Sequence, residues 1–209
     1  MKTINIPQIY QEKGSQDCGP TCTNMILKYF GIEKDVAQLK DNLRYDENGT
    51  SIFDNGLAVL SEGLKATVIT AQPYLFSPDL EFNSKEDVIK RIDERLPRLS
   101  KFKPGLEIFK NYLNYGGELK IEIPSFKHIK EAIDNDNPIV ALLHGGALGT
   151  KEGGFHFVVV NGYDDGKVLL INPLVDAKAG WFPIEDFLYA VHSSTTYDID
   201  NGAFLVISK

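Results

Sequence analysis

The sequence predicts an α+β fold in which a helix bearing Cys18 packs against a mostly antiparallel sheet. Two stretches carry this expectation. Residues 11–31, QEKGSQDCGPTCTNMILKYFG, run from a polar loop into an apolar stripe of helical period, with Cys18 at the junction. Residues 139–171 hold a short apolar run, Ile139 to Leu143, and then Phe155 to Tyr163, a turn at Asp164-Asp165-Gly166, and Lys167 to Ile171. Apolar runs around a Gly turn read as a β-hairpin.

The elements follow in order. Ile4, Ile6 and Ile9 alternate weakly, as in a short strand or an extended arm. Gln11 to Asp17 is a polar loop. Pro20 suits the first turn of the Gly19 to Phe30 helix, where its missing N–H costs nothing. Met25, Ile26, Tyr29 and Phe30 face a core, and Gly31 ends the run. Asp35 to Leu43 reads as a short amphipathic helix. Asn48-Gly49-Thr50-Ser51 is a turn before a helix reaching about Glu62, and Ala66 to Ala71 reads as a strand.

Residues 73–120 read as a helical insertion in a single domain spanning 1–209. Gln72-Pro73 and Ser77-Pro78 break the chain, and Ser84 caps a helix with Asp87 at its third position. Val88, Ile89, Ile92 and Leu96 form one stripe; Leu106, Phe109, Tyr112 and Leu113 form a second. The segment is either a solvated pair over the core or a lid. Beyond it, Ser125 opens a helix to about Asp134 with Ile129 and Ile133 inward, Ile184 to Ala190 is a short helix, and Phe204 to Ile207 closes the chain as a strand.

Composition narrows the function. The 209 residues carry a net charge of −7, which gives no reason to expect nucleic acid or an anionic membrane as partner. No run approaches the ~20 apolar residues that span a bilayer. The first residues lack the apolar core of a secretory signal. Two cysteines four apart on one helix are not a disulfide framework, so a reducing cytoplasm is the expected compartment. Neither they nor the four histidines show metal-ligand spacing, and no cofactor is expected.

The chemistry centres on Cys18. At a helix N-terminus the unpaired N–H groups and the dipole favour a thiolate. Cys22, one turn on and among apolar neighbours, is a core cysteine. A cysteine nucleophile needs a base and a group that orients it. Of His128, His144, His156 and His192, His156 is best placed, because it begins a rigid apolar strand. His144 is the second candidate, in a Gly-rich neighbourhood. With a three-residue loop, Asp164 to Gly166, Asn172 lies opposite Val158 and diagonal to His156 on one face. A two-residue Asp165-Gly166 turn moves Asn172 to the other face. The Cys18 N–H and a side-chain amide, Gln11 or Gln16, are candidate oxyanion donors.

These residues resemble the C39-like cysteine peptidases of the papain-like class. The likeness rests on Ile6-Pro7 to Gln11, D-C-G-P to Y-F-G (17–31), G-T-S and G-L-K-A (49–51, 63–66), N-P-I-V-A-L-L (137–143), H-F-V-V-V-N-G-Y-D-D-G-K-V (156–168) and I-N-P (171–173). His156 follows Cys18 by 138 positions, inside the ~130–150 spacing of papain-like enzymes. The resemblance implies a papain-like fold and a thiol hydrolase acting on a peptide or protein. It implies Cys18 as nucleophile, His156 as base, Asn172 as orienting residue and Gln11 as oxyanion glutamine. Two positions depart from the pattern. Asn172 stands where the family often has Asp, and Gln11 precedes Cys18 by seven residues rather than about six. Many relatives are fused to exporters and cut leader peptides after a double glycine; with no membrane or ATP-binding motif here, that specificity does not carry over. A non-catalytic peptide-binding module on the same fold is the competing class, and a deamidase or acyltransferase would use the same residues.

Overall fold

The computed structural model describes residues 1–41, 43, 49–71, 75–76, 81–82, 84–149, 154–194 and 202–209. Asn48 of the expected turn and both breakers, Gln72-Pro73 and Ser77-Pro78, lie outside the described residues.

The first strand, β1 (Lys2–Thr3), leads through an extended arm and the Gln11–Asp17 loop into helix α1 (Cys18–Tyr29). Its C-terminus closes as the sequence predicts. Gly31 takes φ 83°, its N–H donates to Lys28 O, and Ile32 N–H donates to Leu27 O. Helix α2 (Val36–Lys40) is shorter than expected, held by a capping box between Asp35 and Gln38. Helix α3 (Ile52–Ser61) starts on a second capping box, Ser51 with Asp54, and Gly63 precedes strand β2 (Lys65–Thr70). Ser84 caps α4 (Lys85–Arg95) by accepting from Asp87 N–H, and α5 (Lys103–Asn114) follows with Pro104 in its first turn. Then come β3 (Glu118–Ile121), α6 (Phe126–Asp134), β4 (Ile139–His144), β5 (Phe155–Asp164), β6 (Lys167–Ile171), β7 (Gly180–Pro183), α7 (Ile184–His192) and β8 (Ala203–Ser208).

Among the described residues one eight-stranded sheet runs in the order β3-β2-β8-β4-β5-β6-β7, with β1 paired to β5. Every pairing is antiparallel except β2 with β3. Successive residues of β8 show that both faces are covered, because neighbours on a strand point to opposite sides. Phe204 stacks on Phe187 of α7, whereas Leu205 reaches Gly56 of α3. Helix α1 packs on α3 and on β5, which brings its N-terminus toward the start of β5.

Residues 85–117 lie within the crossover, 71–117, that a parallel β2–β3 pair requires. Within it the apolar face of α5 is buried in the core, whereas Lys103, Pro104, Asn111 and Asn114 are exposed. Phe109 stacks on Phe53 with ring centroids 4.0 Å apart, and the Tyr112 hydroxyl sits 2.7 Å from Ala66 O and 2.8 Å from Glu118 O. Those carbonyls belong to β2 and β3, so one phenol ties helix to both strands. Phe109→Ala is expected to destabilise the fold by about 3–5 kcal/mol, as large-to-small changes at fully buried aromatics do; urea unfolding measures it.

Candidate active site

Cys18 is the first residue of α1 and packs, half-buried, against the core. Its turn is seated by α3. A Cβ on Gly19 would lie 2.4 Å from Thr50 Oγ1 and 2.7 Å from Asn55 Nδ2, so only glycine admits this approach. Asn55 is fully buried and held by its own bonds. Its Nδ2 donates to Ser51 O at 2.9 Å and Thr50 Oγ1 at 3.1 Å, and its Oδ1 accepts from Thr23 at 3.2 Å. The Thr50-Ser51 pair noted in the sequence therefore forms the bed on which the cysteine turn rests. Gly19→Ala is expected to destabilise by about 1–3 kcal/mol through overpacking, again read by urea unfolding.

The charge state of Cys18 departs from the expectation. Burial pushes its thiol above the ordinary value, and the Asp17 carboxylate adds to that. Main-chain hydrogen bonding from Phe157, Gly19 and Cys18 itself pulls the other way and loses. The helix N-terminus thus does not carry the thiolate on its own, because desolvation of the charged sulfur is the larger effect. Asp17, the N-cap, makes no capping bond; its carboxylate pairs with Lys40 Nζ at 2.9 Å. Cys22 is the core cysteine the sequence indicates. It is fully buried and donates to Phe157 O at 3.4 Å, and burial pushes its thiol far up.

Phe157, which meets both cysteines, directly follows His156 on β5. The His156 ring is buried, with Nε2 2.9 Å from Asn172 Oδ1. The amide orientation of Asn172 is fixed by two further bonds. Leu174 N–H donates to Oδ1 at 3.0 Å, and Nδ2 donates to Lys178 O at 3.3 Å. An oxygen facing Nε2 obliges the ring to donate there, so the neutral imidazole carries its proton on Nε2 and leaves Nδ1 as acceptor. Burial holds His156 below the ordinary histidine range, and the Asn172 bond partly offsets this.

The route to this pair differs from the predicted hairpin. The turn has two residues, since Asp164 pairs with Lys167, Tyr163 with Val168 and Gly162 with Leu169. Continued unchanged, that register would put Asn172 on the wrong face. A β-bulge intervenes at Asn161, and beyond it Val160 pairs with Leu170 and Val159 with Ile171. One extra residue on β5 restores the parity that the three-residue loop would have given.

Of the two glutamines, Gln16 is exposed and Gln11 is buried. Gln11 Nε2 donates to Ser15 O at 2.8 Å, leaving its second N–H, and among the described residues its Oε1 has no hydrogen-bond partner. The other histidines stand elsewhere. His144 ends β4 opposite Phe155. His128 bonds Ser125 and Glu122 at the start of α6, and His192 bonds Pro124 O at 2.8 Å. Among the described residues no cluster of three or more His, Cys, Asp or Glu could hold a metal ion. No helix among them is long and apolar enough to cross a membrane.

The sequence matches the Peptidase C39 family over residues 6–86 and the Peptidase C39 like family over residues 103–190. The chain belongs to the C39/C39-like peptidase family. Among solved structures it is similar to a putative C39-like peptidase from Bacillus anthracis, at 15% identity and TM-score 0.58, covering 100% of this chain and 98% of that one. It is similar to the peptidase domain of Streptococcus ComA, a bi-functional ABC transporter involved in a quorum sensing pathway, at 14% identity and TM-score 0.52, covering 98% of each chain. It is also similar to a double glycine motif protease from an AMS/PCAT transporter in complex with its leader peptide, at 15% identity and TM-score 0.51, covering 99% and 94%. These likenesses establish the papain-like α+β fold. No curated protein matches significantly.

Proposed function

We propose that this C39-family domain is a cysteine peptidase that cleaves a peptide bond through a thioester on Cys18. The observation that carries the reading is the Nε2–Asn172 bond of His156, which leaves Nδ1 as the base, beside the strand residue that contacts the Cys18 thiol. The opposed directions of the two groups, thiol up and imidazole down, favour a resting pair that is neutral. The Cys18 proton therefore moves to His156 Nδ1 as Sγ bonds to the substrate carbonyl carbon. The Cys18 N–H and the second N–H of the Gln11 amide support the oxyanion. Collapse breaks the C–N bond, and the proton passes from Nδ1 to the leaving amine. Water, deprotonated by Nδ1, then attacks the thioester carbon; the C–S bond breaks, the acyl group leaves as a carboxylic acid, and the proton on Nδ1 returns to Sγ.

An extended peptide is the proposed substrate. The leader peptide bound to the transporter protease of the same fold supports that class. A peptidyl chloromethyl ketone tests the reading, since it needs both the nucleophile and the bound peptide. Labelling confined to Cys18, sparing Cys22 and lost in His156→Ala, is the expected result. Labelling that is indifferent to His156 overturns it.

A further inference from the structure

Asn172 orients His156, yet it stands one residue beyond the last paired position of β6, Ile171. The sheet ladder does not hold its main chain. Its carbonyl instead accepts from Gln8 Nε2 at 2.9 Å, a bond reaching across 164 positions of sequence. Three positions on, Gln11 N–H donates to Pro173 O at 2.9 Å. The arm that supplies both contacts is anchored at its other end on the bulge. Ile4 N–H donates to Asn161 O at 2.7 Å, and Asn161 Nδ2 donates back to Ile4 O at 3.1 Å. A Cβ on Gly162 would lie 2.9 Å from Lys2 O and 2.9 Å from Thr3 Cγ2, so the next residue is a glycine against which the arm lies in contact. Residues 2–11 thus form a strap that runs from the bulge in β5 to the turn after β6 and ends at Gln11.

We infer that Gln8 is a positioning residue for the proposed active site, clamping the Asn172 main chain so that its side-chain oxygen stays on His156. The inference rests on the peptidase reading only for its purpose; the clamp itself has a readout that needs no substrate. Gln8 is exposed, so its replacement leaves the core intact. Gln8→Met keeps the length and neutrality of the side chain and removes the donor. A looser Asn172 oxygen supports the imidazolium less, since a hydrogen bond to the charged form favours it.

The test is the NMR titration of His156 in the parent, Gln8→Met, Asn172→Ala and the double variant. The His156 midpoint is expected to fall in Gln8→Met by about 0.3 pH or more, and in Asn172→Ala by more. The double variant is expected to match Asn172→Ala alone, because both changes act through one bond. A parent-like midpoint in Gln8→Met overturns the inference. So does a Gln8→Met effect that persists in full without Asn172. If the midpoints move as expected while the parent labels no peptide electrophile at Cys18, the clamp stands and the peptidase reading falls.

Discussion

Replacing Cys18 with alanine is expected to lower kcat/KM for peptide hydrolysis by roughly 10⁴-fold or more, because it removes the proposed nucleophile of a unit whose members would act together. His156→Ala is expected to cost about 10²- to 10⁴-fold, the range of a positioned general base. The double variant is expected to be no worse than Cys18→Ala, since without sulfur there is no proton for Nδ1 to take. Cys22→Ala provides the contrast. Its thiol contacts Phe157 O from within the core, and activity is expected to stay within a few-fold of the parent. Steady-state turnover of a fluorogenic peptide found by library screening measures all four. Cys18→Ala activity within tenfold of the parent would remove the nucleophile assignment. Equal losses in Cys18→Ala and Cys22→Ala would place the effect in packing.

The order of these expectations could be read from the chain because the signals are local. Pro20 and Gly31 bracket α1, Ser84 and Asp87 start α4, and the apolar run before Asp164-Asp165-Gly166 marks β5. The His156–Asn172 bond was reachable by parity, though through a different path. A hairpin loop length and a bulge are both one-residue effects, and they compensate here. The bulge at Asn161 depends on Ile4, more than 150 positions away, so no local pattern announces it. Two short strands have no local signal for a related reason. Glu118–Ile121 and Gly180–Pro183 have four residues each, too few for alternation to register, and they exist because β2 and β6 offer edges. The place of β8 between β2 and β4 is likewise tertiary information. The thiol of Cys18 shows the same division in its chemistry. Sequence reveals the helix end that favours a thiolate, whereas the burial that outweighs it appears only once β5 is packed alongside.

That balance makes Asn172→Asp the most informative change at the site. In the parent, Asn172 gives His156 a neutral acceptor, and burial keeps the imidazole below its ordinary range. The proposed base therefore remains unprotonated at neutral pH. The acid limb of kcat/KM is expected below the ordinary histidine value of about 6.5. With the thiol raised, alkylation of Cys18 by iodoacetamide is expected to be slow at neutral pH and to climb only through the alkaline range. A carboxylate at position 172, 2% exposed in the parent, would accept the same Nε2–H with a full charge. It favours the imidazolium, so the His156 midpoint rises and the acid limb moves to higher pH. An imidazolium beside the thiol in turn favours sulfur as thiolate, so Cys18 alkylation gains a phase at lower pH, while Cys22 serves as the internal control. The change is not free of structural cost. Asn172 Nδ2 donates to Lys178 O, and an oxygen in its place faces that carbonyl without a proton, which costs about 1–3 kcal/mol of stability. The two effects separate cleanly, because loss of stability lowers amplitude without moving a titration. An acid limb that stays in place or moves down in Asn172→Asp would mean that Asn172 does not govern the proton on His156, and the orienting role would pass to another group.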